Sequence, residues 1–174
     1  MITIRQATSA DFLSIINLYK KVAETSGGIA RSAHEITAPY VRHLMLKSEQ
    51  LGVELVAEDL EKGTNIIAEI HCYPPDPSVF NHVLSNLTIV THPDFQGQGI
   101  GKQIFTQLLQ HISQSKPHIL RLELITRESN TKAIAFYKRL GFVAEGRFEK
   151  RIYSANNTFE ADIPMAWFNP NFTA

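Results

Sequence analysis

The chain has 174 residues, of which 44% are hydrophobic and 20% charged, and a chain of this length is expected to form one domain, 1–174, with its own core. The 17 basic and 17 acidic side chains cancel to a net charge of zero, which is not typical of nucleic-acid binders. This composition also excludes intrinsic disorder and collagen-like repeats. The N-terminus has no long apolar run, so we expect neither a signal peptide nor a membrane span, and we predict a cytoplasmic protein without nucleic-acid or membrane partners.

The first half of the chain is predicted to form strands and two helices. Thr8 and Asp11 have the spacing of a capping box at the start of a helix. Pro39 is compatible with the first turn of a second helix. In chain order, we predict a strand at 2–7, a helix from Thr8 to the glycines at 27 and 28, a helix from Thr37 to Gly52, strands at 53–60 and 65–73 joined by a hairpin loop at 61–64, and a strand at 82–90.

The second half alternates helices and strands. We predict helices at 99–115 and 131–140, and strands at 119–126, 142–153 and 158–167, the last two around an Asn156-Asn157 turn. Helices follow strands in the middle of the chain and hairpins lie at its ends. This order predicts an α/β (α+β) fold, with a mixed sheet of about seven strands and helices on both faces. Cys72, the only cysteine, lies in an apolar strand and is predicted to be a small core residue.

A glycine-rich loop lies between the strand that ends at Val90 and the following helix. The pattern Q-x-x-G-x-G runs from Gln96 to Gly101, and Lys102 follows it. Glycines allow backbone amides to approach a ligand, and a helix N-terminus adds unpaired donors with partial positive charge. The loop is therefore predicted to bind phosphate. It does not fit the Rossmann pattern, because Lys102 stands at the third glycine, nor the Walker A pattern, because Gln103 follows the lysine.

A second motif lies one helix and one strand downstream. It reads N-x-x-A-x-x-F-Y-x-x-x-G-F, from Asn130 to Phe142. In this order, the two motifs resemble those of the GNAT superfamily of acetyl-CoA-dependent N-acetyltransferases, and the predicted elements match that fold over nearly the whole chain. The resemblance implies a splayed central sheet, with acetyl-CoA as cosubstrate. No His, Cys or carboxylate cluster in the sequence has metal-ligand spacing, so we expect no metal.

The resemblance also assigns residues to the cofactor. Backbone groups of the strand before the loop would bind the pantetheine arm, the loop amides would bind the pyrophosphate, and the motif asparagine would lie near the cofactor. That asparagine is also a good helix N-cap, so a purely structural role is open. The implied cofactor-binding residues are Ile89, Val90, Thr91, Gly97, Gln98, Gly99, Ile100, Gly101, Lys102 and Asn130.

The resemblance implies that Tyr137 is the acid that protonates the departing thiolate, which suits a phenol with a pKa near 10; a core aromatic is the alternative. The base is less clear, because the glutamate positions of relatives carry no carboxylate here. The nearest carboxylate is Glu123, which an ion pair with Arg121 would equally explain. His71, His82 and Asn86 are further candidates, since histidine titrates near neutral pH.

The reaction implied is direct attack of a primary amine, from a small molecule or a peptide, on the thioester. In the family, the acceptor site is lined by the first two helices and the final hairpin, here by Gly27–Glu35 with Arg31, His34 and Glu35, and by Arg147 and Arg151. The alternatives are a coenzyme A or acyl-CoA binding module without turnover, and a nucleotide-binding module. A homodimer is possible, because the last hairpin offers an edge strand.

Overall fold

A computed structural model describes residues 1–25, 29–62, 65–153 and 157–173. The helices are α1 (Phe12–Ala23), α2 (Ala38–Leu51), α3 (Ile100–Ser115) and α4 (Thr131–Arg139). The strands are β1 (Ile2–Gln6), β2 (Val53–Asp59), β3 (Asn65–Tyr73), β4 (Val83–Thr91), β5 (Arg121–Arg127), β6 (Val143–Ala144), β7 (Phe148–Tyr153) and β8 (Phe159–Phe168).

The strands form a mixed, open sheet in the order β1-β2-β3-β4-β5-β8-β6, with β7 paired to β8. The β4–β5 pair is parallel, whereas β2 pairs antiparallel with β1 and β3, and β8 pairs antiparallel with β5, β6 and β7. The predicted mixed sheet is confirmed, with eight strands in the described ranges instead of about seven. The single strand predicted at 142–153 is in fact two, β6 and β7. The break lies opposite Pro164 of β8, whose carbonyl accepts from the Glu145 amide but which has no amide hydrogen to continue the ladder.

The chain divides into two compact units: Met1–Tyr73 with Leu87–His111 form unit 1, and Pro74–Asn86 with Ile112–Ala174 form unit 2. In unit 1, α1 and α2 cover one face of β2 and β3, and Val90 of β4 belongs to the same buried cluster. The neighbouring side chains Ile89 and Thr91 lie near Gly101 at the start of α3. Because side chains alternate along a strand, α3 begins on the opposite face from α1 and α2. In unit 2, β5 pairs along its whole length with residues 162–168 of β8, and Leu122, Met165 and Ala166 of this pair are buried.

The predicted helix starts are confirmed in their chemistry. Thr8 and Asp11 form the capping box, although a turn of 3-10 helix precedes α1. The hydroxyl of Thr37 accepts from the amide of Tyr40 at 3.3 Å, which caps α2. The predicted end of helix 1 at glycines 27 and 28, part of the 61–64 loop, and Asn156 of the final turn lie outside the described residues.

Gly52 ends α2 as predicted, but for a different reason. Its φ of −119° is available to any residue, so a left-handed C-cap does not explain the glycine. A Cβ on Gly52 would instead lie 1.9 Å from the carbonyl oxygen of Cys72. The glycine therefore permits close packing of the α2–β2 junction against β3. Cys72 itself is fully buried, as predicted for a small core residue. Within the described ranges, no helix is both long and apolar enough to cross a membrane.

Candidate active site

Strand β4 is interrupted in its middle. Its parallel pairing with β5 covers Val83 and Leu84, the first two of nine residues. Asn86 then adopts φ of +52°, in the left-handed region that non-glycine residues rarely occupy. Such a residue inside a strand marks an irregular ladder. The segment predicted to bind the pantetheine arm, Ile89–Thr91, follows this interruption.

The glycine-rich loop has the geometry of an anion site. Gly97 and Gly99 have φ of +76° and +81°, and a side chain at either would meet no atom within 4 Å. The first helical bond runs from the Gln103 amide to the Gly99 carbonyl, at 3.0 Å. Over the ranges that the structure describes, none of the amides from Gly97 to Lys102 has an acceptor. A row of free donors at a helix N-terminus fits a pyrophosphate.

Side chains of the loop hold it to the end of β4. The amide group of Gln96 donates to the Thr91 carbonyl at 3.2 Å, and that of Gln98 donates to the Asp94 carbonyl at 3.1 Å. Lys102 is exposed in the first turn of α3, whereas the side chain of Ile100 is buried. The loop is therefore braced by side chains, which leaves its amides available to a ligand.

Asn130 and Tyr137 of the second motif belong to α4, in unit 2. The side-chain oxygen of Asn130 accepts from the Ala133 amide at 3.2 Å, so this residue is the N-cap of α4. Tyr137 is half-buried, and its ring centroid lies 5.5 Å from that of Phe136 and 5.9 Å from that of Phe142. Burial raises the pKa of its phenol. Tyr137 therefore keeps its proton at neutral pH, as a proton donor requires.

Glu123 forms the ion pair with Arg121 that the sequence offers as the alternative to a catalytic role. Its carboxylate forms an ion pair with Arg121 on β5, at 2.9 Å, and Arg121 also pairs with Glu145. The ion pair with Arg121 is therefore a sufficient structural role for this carboxylate. The catalytic role of Glu123 stays a prediction. No group of three His, Cys, Asp or Glu side chains with metal-site geometry occurs among the described residues.

A buried polar network lies between α1 and the sheet in unit 1. The Tyr19 hydroxyl donates to Oε2 of Glu69 at 2.6 Å, and Nδ1 of His71 lies 2.9 Å from Oε1 of the same carboxylate. Glu54 is opposite His71 in the β2–β3 ladder and is also buried. Burial, with the charge of Glu69 beside it, raises the pKa of Glu54 to about 9. Glu54 is therefore neutral at pH 7.

Of the residues in this network, the sequence predicts a functional role only for His71. Glu69 and His71 alternate with apolar residues on β3, a pattern that normally indicates an exposed face. Here that face lies under α1, where Glu69 is fully buried and His71 is 2% exposed. Titratable side chains on a strand face covered by a helix are the signal that could have identified the network.

Three of the residues predicted to line the acceptor site, Arg31, Glu35 and Arg147, each contact a different partner. The Arg31 guanidinium lies over the ring of Tyr40, 4.2 Å from its centroid. Glu35 completes a capping box with Ser32, and Arg147 is paired with Glu128 at 2.6 Å. Burial raises the pKa of the Tyr40 phenol, and the Arg31 charge partly offsets that shift.

A model of the acetyltransferase (GNAT) family matches residues 15–142. The uncharacterized N-acetyltransferase ycf52 of Porphyra purpurea is 37% identical over 132 residues, covering 75% of this chain and 67% of that protein. The [ribosomal protein bS18]-alanine N-acetyltransferase of Escherichia coli is 35% identical over 78 residues, 45% of this chain and 51% of that enzyme. The chain spans about a third to two thirds of the length of the curated relatives it matches.

Among solved structures, a GNAT superfamily phosphinothricin acetyltransferase of Sinorhizobium meliloti in complex with acetyl-CoA superposes with a TM-score of 0.79. The match covers 99% of this chain and 90% of that one at 19% identity, so it establishes the fold. The family match extends from α1, through the interrupted β4 and the glycine-rich loop, to the end of the second motif. The chain therefore belongs to the GNAT family of acetyltransferases.

Proposed function

We propose that this protein is an N-acetyltransferase that moves the acetyl group of acetyl-CoA to a primary amine of a small molecule or peptide. The observation that carries the proposal is the row of amides at Gly97–Lys102, which have no acceptor within the described part of the chain. Two glycines of this row, Gly97 and Gly99, are in left-handed conformation with open space around them. A doubly charged pyrophosphate is the ligand that such a row of donors favours. When bound, acetyl-CoA supplies a thioester carbonyl that an amine attacks.

The residues of the chain then have separate tasks. The backbone of Ile89–Thr91 binds the pantetheine arm, and the amides of Gly97–Lys102 bind the pyrophosphate. Asn130 caps α4 through its oxygen, which leaves its NH₂ group for the cofactor. Tyr137 donates its proton to the thiolate. A backbone amide near Leu87, just after the interruption at Asn86, stabilises the oxyanion that forms on the carbonyl.

The names of two relatives favour an amine of a protein or peptide as the acceptor. One acetylates the alanine of a ribosomal protein, and another, from Salmonella typhimurium, is named a peptidyl-lysine N-acetyltransferase and is 42% identical over 57 residues. A peptide with a free N-terminal alanine and a lysine-containing peptide are therefore the first acceptors to test, before small alkylamines.

A coenzyme A binding module without turnover is the second candidate. It is favoured by the ion pair that occupies Glu123 and by the absence of a carboxylate from Val83–Thr91. The two candidates differ in turnover and share the cofactor.

Calorimetry with acetyl-CoA tests the cofactor site. Gly101→Asp places a carboxylate beside the free amides, and we expect it to weaken binding at least ~100-fold by charge repulsion. The fold should survive, because a Cβ at Gly101 makes only ordinary contacts, the nearest at 3.7 Å, and Asp is favourable in a first helical turn. Gln107→Glu adds a negative charge on an exposed position of the same helix and should bind normally. Equal binding by Gly101→Asp and wild type would disprove the site.

A further inference from the structure

We propose that His71 is the base that takes the proton of the acceptor amine, and that Glu69 positions it. The proposal rests on the function proposed above. It supplies the missing base from β3, where the buried network of Tyr19, Glu54, Glu69 and His71 is located.

The network fixes which nitrogen of His71 carries the proton. Glu69 accepts from the Tyr19 hydroxyl through Oε2, and its other oxygen lies 2.9 Å from Nδ1 of His71. A carboxylate can only accept, so Nδ1 is the protonated nitrogen. The Tyr19 oxygen, 3.2 Å from Nδ1, is free to accept from it as well, because its own proton points to Glu69. Nε2 therefore presents a lone pair.

Nε2 is also the unused atom of the ring. Within the ranges that the structure covers, both hydrogen-bond contacts of the His71 ring are made at Nδ1, and none is made at Nε2. The residue as a whole is 2% exposed. A histidine whose Nδ1–H is held by a carboxylate and whose Nε2 makes no such contact has the arrangement of a general base.

The strand register places His71 beside the interrupted half of β4. β3 and β4 are neighbours in the sheet, and the His92 amide donates to the Ile67 carbonyl at 2.8 Å. This bond joins the end of β4 to the start of β3, so the strands run antiparallel, and the register it sets puts Thr88 opposite His71. Thr88 directly precedes Ile89–Thr91, the segment assigned to the pantetheine arm.

Two half-buried tyrosines lie beside the pair formed by His71 and Glu69 and its partner Tyr19. The Tyr73 ring lies parallel to that of His71, with centroids 6.0 Å apart, and the Tyr40 ring meets that of Tyr19 edge-on at 6.4 Å. The exposed Arg31 lies over the Tyr40 ring, 4.2 Å from its centroid. Aromatic faces suit an alkylammonium group, so in this proposal the amine approaches His71 along these rings.

The protons balance in this scheme. Nε2 of His71 takes one proton from the ammonium group and returns it to solvent, which leaves a nucleophilic amine. The N–C bond then forms, and the C–S bond breaks with its electron pair on sulfur. The second proton leaves the nitrogen through water and replaces the proton that Tyr137 gives to the thiolate.

His71→Gln in the full chain should lower kcat at least ~100-fold on whichever peptide or alkylamine the wild type acetylates fastest, with acetyl-CoA affinity unchanged by calorimetry. Glu69→Gln should lower kcat similarly, because its NH₂ group donates to Nδ1 and moves the proton to Nε2. His43→Gln is the matched control: His43 meets Tyr73 edge-on at 6.2 Å, outside the Glu69 network, and should keep kcat within about twofold.

The tautomer of His71 provides a readout that needs no acceptor. Long-range ¹H–¹⁵N spectra of the wild type should show protonated Nδ1 and bare Nε2 near pH 7.5, and Glu69→Gln should show the reverse. A protonated Nε2 in the wild type, or normal kcat in a folded His71→Gln variant, overturns the proposal. If the wild type does not bind acetyl-CoA, the proposed function fails for its own reason, which calorimetry identifies independently of the tautomer.

Discussion

Two buried glutamates on neighbouring strands, Glu69 and Glu54, differ in the hydrogen bonds that their carboxyl groups form. Glu69 accepts from Tyr19 and lies within hydrogen-bond distance of His71. Glu54 lies beside the charge of Glu69, and its Oε1 is buried without a hydrogen-bond partner among the residues that the structure describes. An unpartnered buried oxygen favours the neutral acid over the carboxylate. A single proton on Glu54 therefore lets both residues occupy one apolar space.

Glu54→Gln should raise the free energy of unfolding at alkaline pH. The folded-state pKa of Glu54 lies above its ordinary value of 4.5, at about 9, so the folded protein holds a proton that the unfolded chain releases between these values. Stability therefore falls as the pH rises through this window. The variant removes this loss and should be more stable than wild type by at least ~1 kcal/mol at pH 8, and similar to it near pH 5.

Urea unfolding at pH 5, 6.5, 8 and 9 measures this difference. Glu24→Gln, at an exposed position directly after α1, removes a surface charge that is not among the causes of the Glu54 shift and serves as the control. A Glu54→Gln difference that does not change with pH would show that Glu54 is already ionised in the folded protein.

Tyr137→Phe should lower kcat about 10²-fold with unchanged affinity for acetyl-CoA. The substitution removes one oxygen and keeps the ring that packs against Phe136 and Phe142. Steady-state kinetics on the best acceptor and calorimetry measure the two quantities. Tyr153→Phe, at an exposed tyrosine of β7, should leave both unchanged. Full activity in Tyr137→Phe would assign the ring to the core alone.

At the scale of elements, the junction of α2 and β2 depends on one close approach. The carbonyl oxygen of Cys72 occupies the position where a Cβ on Gly52 would lie, 1.9 Å away. The strand β2 that begins after this glycine carries Glu54, and β3 carries His71. The glycine therefore permits the close strand packing that brings the buried network together.

Gly52→Ala should lower the free energy of unfolding by about 3 kcal/mol, because backbone atoms must move to admit the methyl group. Gly146→Ala is the control, since the nearest atom to its Cβ is the Pro164 side chain at 3.8 Å, and it should stay within ~0.5 kcal/mol of wild type. Urea denaturation measures both. A small effect at Gly52 would mean that the junction shifts freely.

At the scale of the molecule, local chemistry predicts more than tertiary placement does. The caps at Thr8 and Thr37 and the glycine-rich loop follow from interactions within a few residues, and the sequence predicts them. The split of β6 from β7 depends on Pro164, about 20 residues away. The network around Glu69 forms because α1 covers a face of β3 whose alternating polar residues would normally indicate exposure to solvent. The left-handed Asn86 has no local signal, since asparagine is only one of several residues found in that conformation.

The chain crosses between its two compact units inside β4 and inside α3. Separate unfolding of one unit would break this strand and this helix, so we expect the units to unfold together.

Trp167, the only tryptophan, packs beside Gly141 in unit 2, whereas the glycine-rich loop is in unit 1. Acetyl-CoA at 100 times its Kd should stabilise the protein by ~2.7 kcal/mol. The melting temperature seen by Trp167 fluorescence should then rise about 5–10 °C, together with that seen by circular dichroism. Gly101→Asp should show no rise. The units unfold independently if acetyl-CoA raises the melting temperature seen by circular dichroism but leaves the one seen by Trp167 fluorescence unchanged.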